Sequence, residues 1–178
     1  DEIDKIVKKL RDILREIEKR AKEVNKRNKE LLDELRERVK DLDRTNEELL
    51  RELKDSDRDK KDMERVIRES EDRLRKLEEE LRRVIERSER ELRRLEKEAR
   101  DVIEEMERDV RRIAKDLDSD KLLKKLKDVL DEIAERIKEL IRELRESIKK
   151  SAEELKRLID RVRRSIEESA KRLEDRAR

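Results

Sequence analysis

The sequence contains no glycine, proline, cysteine, histidine or aromatic residue. The absence of glycine and proline removes the residues that break helices and favour tight turns. The absence of cysteine and histidine excludes disulfides, imidazole acid–base chemistry and the usual zinc ligands. Without aromatic side chains the protein has nothing to stack on nucleic-acid bases. These absences exclude most classes of catalytic and cofactor-binding site.

Charged residues fill 62% of the 178 positions, yet 56 cations and 54 anions leave a net charge of only +2. Such a composition is typical of disordered chains. Here the apolar residues recur at helical spacing among strong helix formers, so the sequence predicts long helices instead. Apolar residues occur at most two in a row, which predicts neither a membrane span nor a signal-peptide hydrophobic region. Localisation is unknown from the sequence.

An 18-residue repeat underlies the apolar pattern in all three parts of the chain. Examples are Ile3, Ala21 and Val39; Val66, Val84 and Val102; and Leu126, Leu144 and Val162. An α-helix has about 3.6 residues per turn, so a repeat of 18 residues makes five turns and each apolar stripe returns to the same face of a straight helix. The repeat therefore predicts nearly untwisted helices.

Two polar interruptions, at 55–59 and 118–120, divide the stripes. Both are rich in Asp and Ser, whose side chains cap the N-terminus of a following helix. The predicted helices are 1–54, 60–117 and 121–178. Short connections force antiparallel neighbours, so we predict an all-α fold, an up-down-up antiparallel three-helix bundle forming a single domain over 1–178.

Uncharged polar residues interrupt the apolar stripes at two predicted heights. If the turns centre near residues 57 and 119, facing residue numbers add up to about 114 between the first two helices and about 238 between the last two. One predicted layer contains Asn25, Asn28, Ser88, Ser147 and Ser151. The other contains Thr45, Asn46, Ser70, Ser165 and Ser169.

A buried polar group without a partner costs about 1 to 3 kcal/mol, so we hypothesise that each layer is hydrogen-bonded and fixes helix register. The alternative is that the serines only allow close helix approach, or lie at the wet margin of the stripe. Replacing one Asn by Leu is then expected to leave its former partners without hydrogen bonds, whereas replacing a whole layer by apolar residues is expected to raise stability.

No catalytic, cofactor or metal site is predicted. Ser88 and Ser151 have no histidine base and no glycine-rich oxyanion loop. The acidic runs, such as Glu78-Glu79-Glu80, lie outside the stripes and are interpreted as a solvated face. No stripe position is Asp or Glu, which argues against a carboxylate metal site in the core.

The basic pairs Arg82-Arg83 and Arg163-Arg164 raise the possibility of nucleic-acid binding. The three helices, however, carry net charges of about +1, 0 and +5 with acids interleaved throughout, which predicts no nucleic-acid partner. The apolar faces of the three helices must pack against each other to form the core, so no membrane partner is predicted. No partner is required, and a monomer is predicted, with a homo-oligomer as the alternative.

Val84-Ile85-Glu86-Arg87-Ser88 nearly repeats Val66-Ile67-Arg68-Glu69-Ser70, in a chain without Gly or Pro. In this the chain resembles de novo designed straight three-helix bundles with an 18-residue repeat and buried hydrogen-bond layers. Such designs often place Gly in loops, whereas both turns here are Asp/Ser. Natural spectrin-type repeats are a weaker match, because they carry a core Trp.

The resemblance implies a structural scaffold with no natural biochemical function. The alternative is an interaction module in which the third helix packs on another copy. Its apolar stripe is the widest, at about 140°, and Ala134, Ala152 and Ala170 form one edge of it.

Overall fold

A computed structural model describes residues 2–54, 59–116 and 120–176 of the protein, and three long α-helices account for nearly all of them. They are α1 (Glu2–Glu52), α2 (Lys60–Ala114) and α3 (Asp120–Arg176). The predicted all-α three-helix bundle is confirmed. The predicted turn residues 55–58, 118 and 119 lie outside the described residues.

Helices α1 and α2 end two and three residues before their predicted ends at 54 and 117. At the end of α1, the Lys54 amide donates to the Arg51 carbonyl at 3.2 Å, and after α2 the Asp116 amide donates to the Ile113 carbonyl at 3.0 Å. These are bonds between residues three apart, which tighten the last turn and end the regular α-helix. Helix α3 begins at Asp120, one residue earlier than predicted.

Asp59 caps the N-terminus of α2. Its Oδ1 accepts a hydrogen bond from the Lys61 amide at 3.3 Å, and its carbonyl accepts from the Met63 amide at 3.2 Å. The side chain thus satisfies one of the amides that the first turn leaves without a helical partner.

We expect Asp59→Ala to lower the free energy of unfolding by about 1 kcal/mol, because the alanine side chain offers no acceptor. Urea denaturation followed by circular dichroism measures the change. Asp59→Asn is the matched control, since asparagine caps as well as aspartate, and it should retain most of the stability. An equal loss in both variants would contradict a capping role.

The chain divides into two compact units, each of which contains one segment from each helix. Unit 1 comprises Asp1–Arg27 and Ser88–Ile148, and unit 2 comprises Asn28–Arg87 and Lys149–Arg178. The single domain over 1–178 stays a prediction.

The core of unit 1 is built from Leu, Ile, Val, Ala and Met side chains of all three helices. Leu126 is fully buried and Ile137 is 1% exposed, and both belong to one continuous apolar cluster. Leu10 from α1 and Met106 from α2 pack into the same cluster. Every one of these positions lies in the apolar stripes that the sequence predicts.

The core of unit 2 has the same composition. Val39 and Leu42 of α1, Met63 of α2 and Val162 of α3 are all fully buried. They belong to a second continuous apolar cluster. Because aliphatic and methionine side chains make up both clusters, neither core depends on an aromatic anchor.

Ion pairs within the units give the direction of each helix. In unit 1, Arg20 pairs with Glu98 and Arg27 with Glu91, so α2 runs antiparallel to α1. In unit 2 the pairs Arg36–Glu154 and Asp43–Arg161 make α3 parallel to α1. The helices therefore run up, down and up.

The same pairs fix the register. Facing numbers add up to 118 for α1 and α2 and to 241 for α2 and α3. These sums lie within about one helical turn of the expected values of about 114 and about 238.

Candidate functional site

Asn46 is the centre of a buried polar cluster in unit 2. It is fully buried, as is Ser169 on α3. Asn46 Nδ2 donates a hydrogen bond to Ser165 Oγ, and Ser169 Oγ donates to Asn46 Oδ1 at 2.9 Å. We call these three residues the Asn46 cluster. It joins α1 to α3 by two side-chain hydrogen bonds within the largely apolar core of unit 2.

Asparagine suits this position because its amide carries both donors and an acceptor, and serine hydroxyls both donate and accept. Ser169 Oγ also lies 3.0 Å from the Ser165 carbonyl oxygen. The hydroxyl has one hydrogen, so it is shared between that carbonyl and Asn46 Oδ1. Since Ser165 and Ser169 are one helical turn apart, α3 presents both hydroxyl groups to the same asparagine.

Thr45 and Ser70 belong to the same predicted layer as the Asn46 cluster. Thr45 is half-buried, and its Oγ1 donates to the Asp41 carbonyl of its own helix at 3.0 Å. This bond satisfies the hydroxyl without crossing to another helix. Ser70 is 2% exposed on α2. Among the residues the structure describes, neither one forms a side-chain hydrogen bond to Asn46.

The residues of the other predicted layer are divided between the two units. In unit 1, Ser88 is fully buried, whereas Asn25 and Ser147 are exposed. In unit 2, Asn28 is 2% exposed and Ser151 is half-buried. Two of the five residues are therefore in the core.

Asn25 and Ser147 are exposed, although the repeat places them in the stripes. They are the repeat equivalents of Val7 and Val129, which are only half-buried. These positions form the margin of each stripe, where an apolar side chain reaches back over the core. A short polar side chain at the same place gains hydration by facing the solvent.

The sequence interpretation missed the ion pairs between helices, which recur with the 18-residue repeat. Between α1 and α2, Arg20–Glu98 in unit 1 corresponds to Arg38–Glu80 in unit 2. Between α2 and α3, Glu96–Arg145 in unit 1 corresponds to Glu78–Arg163 in unit 2. The signal was available, because all four residue types recur 18 positions apart.

The α1–α3 pairs behave differently, because their charges reverse from one unit to the next. In unit 1, Glu18 on α1 lies 3.9 Å from Arg136 on α3. In unit 2 the equivalent positions are Arg36 on α1 and Glu154 on α3, at 3.3 Å. The apolar repeat is thus combined with a charge pattern that does not repeat.

The alanine edge of α3, on which the interaction-module alternative depends, is not an exposed apolar surface. Ala152 is 5% exposed, and Ala134 and Ala170 are half-buried. Among the described residues, Leu122 is the one large hydrophobic side chain classed as exposed, at 37%. A single exposed leucine is ordinary for a protein surface.

Within residues 2–54, 59–116 and 120–176, no three Asp, Glu, His or Cys side chains come together as a metal site would require. In the same part of the chain, no helix combines the length and the apolar character needed to span a bilayer.

No protein-family model matches the chain, and a search of curated proteins found no match. Among solved structures, the chain is similar to one described as a computationally designed three-helix bundle. The two share 22% sequence identity with a TM-score of 0.40, over 97% of this chain and 78% of the other. At this level the likeness concerns the fold alone.

Proposed function

We propose that the protein is a structural scaffold that holds three helices in a fixed order and register, with no natural catalytic activity. The observation that carries this proposal is the combination of a periodic core with polar contacts that break the periodicity. The Asn46 cluster supplies one such contact. The charge-reversed α1–α3 pairs supply the other.

A periodic core leaves register underdetermined, because sliding a helix by one 18-residue repeat restores most apolar contacts. Such a slip between α1 and α3 brings Arg36 opposite Arg136, or Glu18 opposite Glu154, depending on its direction. Either arrangement replaces an attractive pair by like charges, which are destabilising at close range. The reversed pairs therefore act against a slip of one repeat.

The Asn46 cluster acts against smaller slips. A slip that moves α3 by one turn takes Asn46 away from Ser165 and towards Leu173. The buried amide then loses one of its two partners, at a cost of about 1 to 3 kcal/mol.

The nature of the contacts argues for an artificial scaffold. Many of the ion pairs are repeated units of exposed Arg and Glu, each of which adds at most about 1 kcal/mol. The charge-reversed α1–α3 pairs specify one register more than they add stability, as in sequences written to exclude alternative registers. The alternative, self-assembly through α3, lacks the exposed alanine edge that it needs.

Multi-angle light scattering over a wide range of protein concentration tests the proposal. A lone scaffold keeps a mass near 21.9 kDa at every concentration. A multiple of that mass, or a mass that rises with concentration, favours the assembly module. Leu122→Lys is the matched control, since removing the exposed apolar side chain should leave the mass of a monomer unchanged.

A further inference from the structure

Unit 1 contains an open groove between α2 and α3. Its volume is about 510 Å³, and its floor includes Ala99, Ile103, Ile137 and Ile141. This volume lies within the range of about 300 to 1,000 Å³ typical of small-molecule sites. One wall carries the Glu96–Arg145 ion pair.

The 18-residue repeat shows why space is left here. The residue equivalent to Ala99 in unit 2 is Leu81, and both are buried, at 2% and 3% exposure. The remaining surroundings are closely matched, since Ile103 corresponds to Ile85 and Ile141 to Ile159. A methyl group at 99 therefore leaves unfilled the volume that an isobutyl group fills at the equivalent position.

The rim of the groove differs from its counterpart in charge. The charged residues of the rim, beside the Glu96–Arg145 pair, are Arg100, Glu104, Glu107, Lys138 and Arg142. In the α2–α3 register, Arg100 and Arg142 occupy facing positions. Within the described residues neither guanidinium forms an ion pair. Their equivalents in unit 2 are Arg82 and Asp160, which have opposite charges.

Two cations at facing positions repel each other, and an anion placed between them would turn that repulsion into attraction. The groove thus combines an apolar floor with a rim on which four cations outnumber three anions, and two of the cations, Arg100 and Arg142, face each other. We propose that it binds a small amphiphile with an apolar body and a single anionic group. The body packs on Ala99, Ile103 and Ile141, and the anion lies between Arg100 and Arg142. This site is independent of the Asn46 cluster and of the scaffold proposal.

Fluorescence titration with anilinonaphthalene sulfonate, which has this chemistry, tests the proposal on the full chain. We expect saturable binding of one probe per chain, with no change in helical circular dichroism. Ala99→Leu, which restores the side chain found at 81, should weaken binding by about tenfold. Ala170→Leu in unit 2 makes the same substitution away from the groove and should leave binding unchanged.

A second variant tests the role of the positive charge on the rim of the groove, and its effect does not depend on packing in the core. Arg142 is exposed, so Arg142→Asp should fold normally and reproduces the charge pair of the unit 2 position. It should weaken binding of the sulfonate by about tenfold and leave binding of the neutral analogue phenylnaphthylamine unchanged. Three outcomes would overturn the proposal. The first is unchanged sulfonate binding in both Ala99→Leu and Arg142→Asp, and the second is equal weakening of both probes by Arg142→Asp. The third is the binding of several probes per chain.

Discussion

Leu42→Ala should lower the free energy of unfolding by about 3 to 5 kcal/mol, the largest loss expected from a single truncation in this protein. Leu42 is fully buried in the apolar cluster of unit 2. The substitution removes the contacts of three carbon atoms and leaves a cavity. Long helices held by neighbours on both sides cannot close such a cavity completely, so the cost exceeds the transfer free energy alone.

The matched control is Leu122→Ala, which makes the same chemical change at the exposed leucine of unit 1. It should change the free energy of unfolding by less than about 1 kcal/mol, because few packing contacts are lost. Urea denaturation of both variants, followed by circular dichroism at a fixed temperature, gives the comparison. Equal losses in the two variants would mean that the apolar stripes do not form the core.

The sequence predicts the helices well because one physical signal dominates it. Apolar residues at 3.6-residue spacing can be buried only on a helix, and no glycine or proline competes with that signal. The same periodicity identifies core residues such as Leu42, Leu126 and Val162, which are fully buried. The helix ends are less predictable, since the bonds at Lys54 and Asp116 depend on local geometry more than on residue type.

The periodicity of the apolar residues does not determine the register, which is the level along the helix axis at which two helices face each other. The stripes fix which way a side chain points, but the level at which two helices meet depends on how the connection between them turns. The α1–α2 ion pairs therefore agree with the expected register only to within about one turn. The margin residues Asn25 and Ser147 illustrate a second limit, because a position at the edge of a stripe holds a half-buried valine in one repeat and an exposed polar side chain in the next.

The groove shows what a comparison of repeats adds. Ala99 alone is an unremarkable small residue in a core stripe. Compared with Leu81 at the equivalent position of unit 2, it has a smaller side chain to fill the space between α2 and α3. The facing Arg100 and Arg142 on the rim of the same groove are the basis for proposing an anionic ligand. Because the remaining lining is nearly the same in both repeats, the difference is confined to a few positions that can be exchanged individually.

Asn46→Leu should destabilise the protein by about 1 to 3 kcal/mol, although leucine is the more hydrophobic residue. It removes the donor to Ser165 Oγ and the acceptor for Ser169 Oγ while both hydroxyls stay beside an apolar side chain. Ser169 can still donate to the Ser165 carbonyl at 3.0 Å, which places the expected loss towards the lower end of this range.

Replacing all three members of the Asn46 cluster should reverse the effect. In the triple variant Asn46→Leu, Ser165→Ala, Ser169→Ala no hydroxyl is left behind, and alanine is a better helix former than serine. We expect its urea midpoint to lie above that of Asn46→Leu and at or above that of the unmodified protein. The double variant Ser165→Ala, Ser169→Ala instead leaves the Asn46 amide without partners, so its urea midpoint should lie below that of the triple variant and that of the unmodified protein.

If Asn46→Leu stabilised the protein as much as the triple change, the three side chains would not be coupled. The hydrogen bonds between α1 and α3 would then have no part in selecting the register, since a residue that selects one pairing must lose free energy when its partners are wrong.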